Sequence, residues 1–166
     1  MKSQPTIYAI GDSHVHQFGS SIVKFADKYE YNYKIIWGNS CLFPAAVVRG
    51  KKKDLSCYTK QFQLEQYLLD NVLPGDIVFI GNALYALFNP LWSDDIVYST
   101  ESGTNLSVQS AGKVYSERFR DVSSKLLSKG VKIILLIDGI QFTGLTAPAD
   151  ICSVQWYRSR ESLPEE

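Results

Sequence analysis

Four short apolar runs divide the chain, each ended by glycine or aspartate–glycine. They are Thr6–Ile10 before Gly11, Tyr33–Trp37 before Gly38, Asp76–Ile80 before Gly81, and Val131–Ile137 before Asp138-Gly139. Short apolar runs bounded by such punctuation predict strands. The third and fourth lack polar alternation, the pattern of strands covered on both faces of a parallel sheet. Between them the apolar period lengthens to three and four residues. Val15, Phe18, Ile22, Phe25, Ala26 and Tyr29 predict one helix over His14–Tyr29. Phe62, Tyr67, Leu68 and Val72 predict a second over Thr59–Val72, stopped by Pro74-Gly75. Tyr115, Phe119, Val122 and Leu126 predict a third over Ser110–Lys129, stopped by Gly130. Strands alternating with helices imply right-handed crossovers and a parallel sheet. The expectation is a single α/β domain, doubly wound, with strand order 2-1-3-4.

Three stretches carry no clear period. Residues 41–58 open with Cys41-Leu42-Phe43-Pro44 and carry Arg49-Gly50-Lys51-Lys52-Lys53. The lysine run reads as a solvated loop, or alternatively as a contact for an acidic polysaccharide. Residues 83–109 form a long loop rich in aromatic residues. Loops of that length inside compact domains are usually functional. Tyr85 and Trp92 in it could stack on a sugar, against the plainer reading of lid or core packing. The tail Ile140–Glu166 is irregular, with Pro148, Cys152 and Trp156.

Composition narrows the function. The 166 residues suffice for one real core, and 17 basic residues balance 17 acidic ones. That balance argues against a generic nucleic-acid or membrane-surface binder. No apolar run approaches the ~18 residues of a membrane helix, and the start shows no leader pattern, so the expected compartment is the cytoplasm. Three cysteines, an odd number, then favour reduced thiols; in an exported protein a Cys41–Cys57 bridge would staple the loop between them. No C-x-x-C pair occurs and both histidines lie near the start, so no metal site is expected. Without G-x-G-x-x-G or G-K-[ST], neither a nucleotide nor any other cofactor is expected.

The chemistry concentrates where the first strand meets the first helix. Ser13 falls there, at the carboxyl end of a central strand, where ligands bind in open α/β sheets. Unpaired N–H groups at a helix start can hold an oxyanion. Ser13 is thus a candidate nucleophile, with Asp12 and His14 beside it. The competing reading is that Asp12 or Ser13 only caps the helix. A Ser13–His16 dyad would share a helical face but imitates a triad poorly.

Gly11-Asp12-Ser13-His14, a glycine after strand two and an asparagine after strand three resemble the SGNH (GDSL-type) hydrolases. The Gly-Asp-Ser-His form is similar to the SGNH domains associated with membrane-bound sugar O-acyltransferases. Cys41-Leu42-Phe43-Pro44 and Cys152 fit the same branch, over residues 6–156. The resemblance implies a flavodoxin-like sheet and an acylated carbohydrate or small ester as substrate. It implies Ser13 as nucleophile, with an oxyanion hole made of its own N–H, the Gly38 N–H and the Asn82 amide. The plainer readings are a strand-ending turn for Gly38 and an Asx-turn for Asn82.

Two departures matter. The family's base is a histidine in a C-terminal D-x-x-H motif, and no histidine follows His16. Only four strands are legible where that fold has five, so the chain reads as a C-terminally incomplete domain. The alternative function is a catalytically inactive or truncated SGNH-like module that binds a carbohydrate or other ligand. The missing strand would leave Val131–Ile137 as an apolar edge open to self-association.

Overall fold

The computed structural model describes residues 4–39, 41–49, 55–84 and 98–136. Their elements are β1 (Thr6–Gly11), α1 (Ser13–Gln17), α2 (Gly19–Tyr29), β2 (Asn32–Trp37), β3 (Val48–Arg49) and α3 (Ser56–Asn71). Then come β4 (Ile77–Gly81), β5 (Tyr98–Ser99), β6 (Asn105–Leu106), α4 (Val108–Ser128) and β7 (Lys132–Leu136).

The four predicted strands form one parallel sheet in the order β2-β1-β4-β7, which is the predicted 2-1-3-4 order. β1 and β4 are central and almost wholly buried, as their unbroken apolar runs require. On one face Ile7, Ala9 and Ile77 pack against Val15, Ile22 and Ala26 of α1 and α2. On the other, Tyr8, Ile10, Val78 and Ile80 pack against Leu64 and Leu68 of α3 and Val122 and Leu126 of α4. Helices therefore cover both faces of the sheet. No helix among the described residues is long and apolar enough to cross a membrane.

Three local expectations are corrected. The single helix expected over 14–29 is two, because the chain leaves helical geometry at Phe18, just before Gly19. Glycine favours a break, since it gains least from a helix interior. The segments expected as loops contain a small antiparallel sheet of order β3-β5-β6. In it Tyr98 is wholly buried against Leu42, Ala111 and Tyr115. The thiols expected to be reduced are bonded: Cys41 and Cys57 form a disulfide, their Cα atoms 5.4 Å apart. The first turn of α3, which begins three residues before its predicted start, carries Cys57 against the turn after β2.

Candidate active site

Two glycines let the site assemble. Gly11 and Gly81 end β1 and β4 and are register partners. A Cβ on Gly11 would lie 1.9 Å from the Gly81 carbonyl oxygen, and Gly11 has φ +140°. A Cβ on Gly81 would lie 3.0 Å from the backbone of Val15. Bare strands here allow the first turn of α1 to sit directly on the sheet end.

Asp12 then ties that turn down. Its N–H donates to the Gly81 carbonyl at 3.0 Å. Its buried carboxylate accepts the Ala83 N–H at 2.7 Å through Oδ2 and the His14 N–H at 2.8 Å through Oδ1. Asp12 is thus the helix cap, and Ser13 is left as the first helical residue. Ser13 is half-buried, and among the described residues its hydroxyl has no hydrogen-bond partner. Its own N–H, at the start of a helix, has no intrahelical acceptor.

The other expected oxyanion donors are engaged elsewhere. The Gly38 N–H donates to the Gly11 carbonyl at 3.1 Å, extending the ladder between β1 and β2. Gly38 is also confined, since a Cβ there would lie 2.9 Å from both Cβ and Sγ of Cys41. Asn82 is wholly buried, its Oδ1 3.0 Å from where a Gly11 Cβ would stand. Its Oδ1 accepts the Phe43 N–H at 3.1 Å, while Nδ2 donates to the Phe43 carbonyl at 2.6 Å and to the Tyr115 hydroxyl at 2.9 Å.

Among the described residues neither histidine hydrogen-bonds to Ser13. His14 Nδ1 lies 3.1 Å from Asp12 Oδ1. His16 is exposed, and its ring packs on Trp37 with centroids 4.6 Å apart. Tyr85, Trp92, the Lys51–Lys53 run and Cys152 lie outside the described residues.

Sequence reasoning missed the supports of the loop that opens with Cys41. Gln61 Nε2 donates to the Cys41 carbonyl at 3.0 Å, and Tyr115 donates to the Phe43 carbonyl at 3.0 Å. The face expected to pack on the second helix included Phe62, which is 43% exposed. Leu68 and Val72 are buried and Tyr67 packs against the core as expected, while Gln61, Leu64 and Glu65 complete the buried face. Two polar residues one turn apart on a buried face disguise the period. Glu65 pairs with Arg118 of α4. Burial still raises the Glu65 carboxyl above its ordinary pKa, against the downward pull of the guanidinium. Among the described residues Gln61 Oε1 and Glu65 Oε2 find no donor.

A family model described as the SGNH domain (fused to AT3 domains) matches residues 1–162. No curated protein and no solved structure matches the chain.

Proposed function

The chain belongs to the family of SGNH domains described as fused to AT3 domains, and from that premise we propose that it is a serine esterase or O-acyltransferase acting on an acylated carbohydrate. It is an SGNH module related to acyl transfer; the nucleophile and the substrate class are the proposal. The observation that carries it is Ser13, half-buried, set by Asp12 at the head of α1 where the central strands end. In the reaction the Ser13 hydroxyl oxygen attacks the ester carbonyl, its proton passing to a base. The tetrahedral oxyanion collapses to an acyl-enzyme and releases the alcohol. Water or an acceptor hydroxyl then takes the acyl group. In this reading the Ser13 N–H, left without an intrahelical acceptor, donates to that oxyanion, and one such donor is worth roughly 3 kcal/mol.

A serine without a base is a weak nucleophile, and this chain supplies no histidine beyond His16. The local histidines are engaged with Asp12 and Trp37. That favours, as a second reading, an SGNH-like module that binds the saccharide without turning it over. Exposure to a fluorophosphonate probe separates the two. Labelling abolished by Ser13→Ala supports the enzyme; folded protein that stays unlabelled but retains saccharide binding supports the binding module. The Cys41–Cys57 disulfide supports an oxidising compartment for this domain in place of the cytoplasm.

A further inference from the structure

Trp37 ends the edge strand β2 and is the register partner of Gly11, which stands just before Asp12 and Ser13. Its backbone is fixed there. The next N–H, of Gly38, donates to the Gly11 carbonyl at 3.1 Å, and the Gly38 carbonyl accepts the N–H of disulfide-bonded Cys41 at 3.1 Å. The Trp37 ring packs on His16 of α1, with centroids 4.6 Å apart and planes 35° apart. Trp37 nevertheless stays 44% exposed, whereas tryptophan is on average highly buried. Other exposed aromatic residues lie elsewhere: Phe18 and Phe25 line the groove that holds Ile134, and Tyr33 lies near the start of β2. Among the described residues, Trp37 is the exposed aromatic that ends a sheet strand beside the Ser13 turn.

We propose that Trp37, braced by His16, is a stacking platform for a pyranose ring of the saccharide whose ester meets Ser13. The inference rests on the reading of this site as one for acylated saccharides, and it holds whether the module turns them over or only binds them. The reach follows from α1. His16 comes three positions after Ser13 in that helix, so the two share a face with Cβ atoms about 5–6 Å apart. The indole lies one ring contact beyond His16. The span from indole to serine is therefore of the size of an acylated monosaccharide. A pyranose chair offers C–H groups on its flat side and hydroxyls at its rim. The negative face of an indole attracts those C–H groups, while the rim stays in water. Because the ring is held by the sheet ladder on one side and by His16 on another, little freedom is lost when a sugar docks. Docking there fixes how far the sugar ring stands from Ser13, so Trp37 selects which ester position reaches the serine.

Titration of the full chain with a panel of O-acetylated methyl hexopyranosides of gluco, galacto and manno configuration tests this. The indole N–H resonance of Trp37, identified by its loss in Trp37→Tyr, should shift as saccharide is added. The Kd should rise roughly three- to tenfold in Trp37→Leu, the worth of an aromatic contact beyond its buried area. Trp37→Tyr, which keeps a flat face, should recover part of that loss. Leucine keeps an apolar surface without a flat face, so a merely hydrophobic patch would not separate the two variants. A Trp37 resonance that no member of the panel moves, or a Kd unchanged in folded Trp37→Leu, overturns the platform. The nucleophile fails separately. Saccharide that shifts Trp37 in folded protein that a fluorophosphonate never labels supports the platform and removes Ser13 as nucleophile. Labelled Ser13 beside an unmoved Trp37 overturns the platform and leaves the nucleophile standing.

Discussion

At the scale of single residues the site depends on what is missing from two of them. A methyl group on Gly11 would collide with the Gly81 carbonyl, and its φ of +140° is strained for any side chain. Gly11→Ala should therefore destabilise the fold by about 3 kcal/mol or more, read as a lowered denaturant midpoint. A midpoint within a few tenths of a molar of the wild type would show that β1 and β4 part there without cost. Gly11, Asp12 and Ser13 stood out in the sequence because a strand, a tight turn and a helix meet within a few positions. Asn82 stood out as well, by its place after a buried strand. Its partners did not. Phe43 meets Asn82 through backbone atoms, whose pairing no residue type announces. Tyr115 read as one more apolar position on a helix, and its hydroxyl gave no sign of where it would point. The disulfide was legible only as a conditional pair, because odd cysteine counts and compartment give no geometry.

At the scale of elements, α3 shows why a helix can be found while part of its buried face goes unread. Its existence and stop follow from the pattern and from Pro74-Gly75. Its core side carries Gln61 and Glu65, which an apolar template rejects. Tolerating them requires partners across the interface, and Arg118 of α4 is one that no local window contains. The cost remains visible in Glu65, whose carboxyl is raised because burial outweighs the guanidinium. An acid with a raised pKa holds its proton more firmly folded than unfolded. Its contribution therefore favours the fold at acid pH, and is lost as pH rises from the unfolded value through the folded one. Glu65→Gln removes that dependence while leaving an oxygen for Arg118. The stability of the variant relative to wild type should rise with pH across the carboxylate range and level off above it, as measured by urea unfolding at a series of pH values. A difference that stays flat with pH would mean that Glu65 is not held above its ordinary value.

At the scale of the whole molecule the topology was the most legible feature. Strand order follows from crossover handedness and from which runs lack polar alternation, and both are properties of the chain rather than of particular contacts. The same reasoning makes β7 anomalous. Lys-Ile-Ile-Leu-Leu is an interior-strand sequence, yet β7 ends the described sheet and pairs there only with β4. Its side chains alternate between the two faces. Ile134 is 46% exposed beside Phe18 and Phe79, in a groove of about 200 Å³. Leu135 is 39% exposed beside Leu127 and Phe119, in a groove of about 500 Å³ on the α4 side. Among the described residues the outer ladder of β7 has no strand partner; a ladder between two apolar grooves is a template for another strand, and Lys132 is the one charge on Lys132–Leu136. The domain is therefore expected to self-associate through β7 at micromolar concentration. Sedimentation velocity should show a dimer or larger species. Ile134→Lys, which puts a charge on the open apolar face, should return it to monomer without unfolding it. A wild-type monomer at tens of micromolar, with β7 amides that exchange freely with solvent, would defeat the expectation, because the edge would then be standing bare in water.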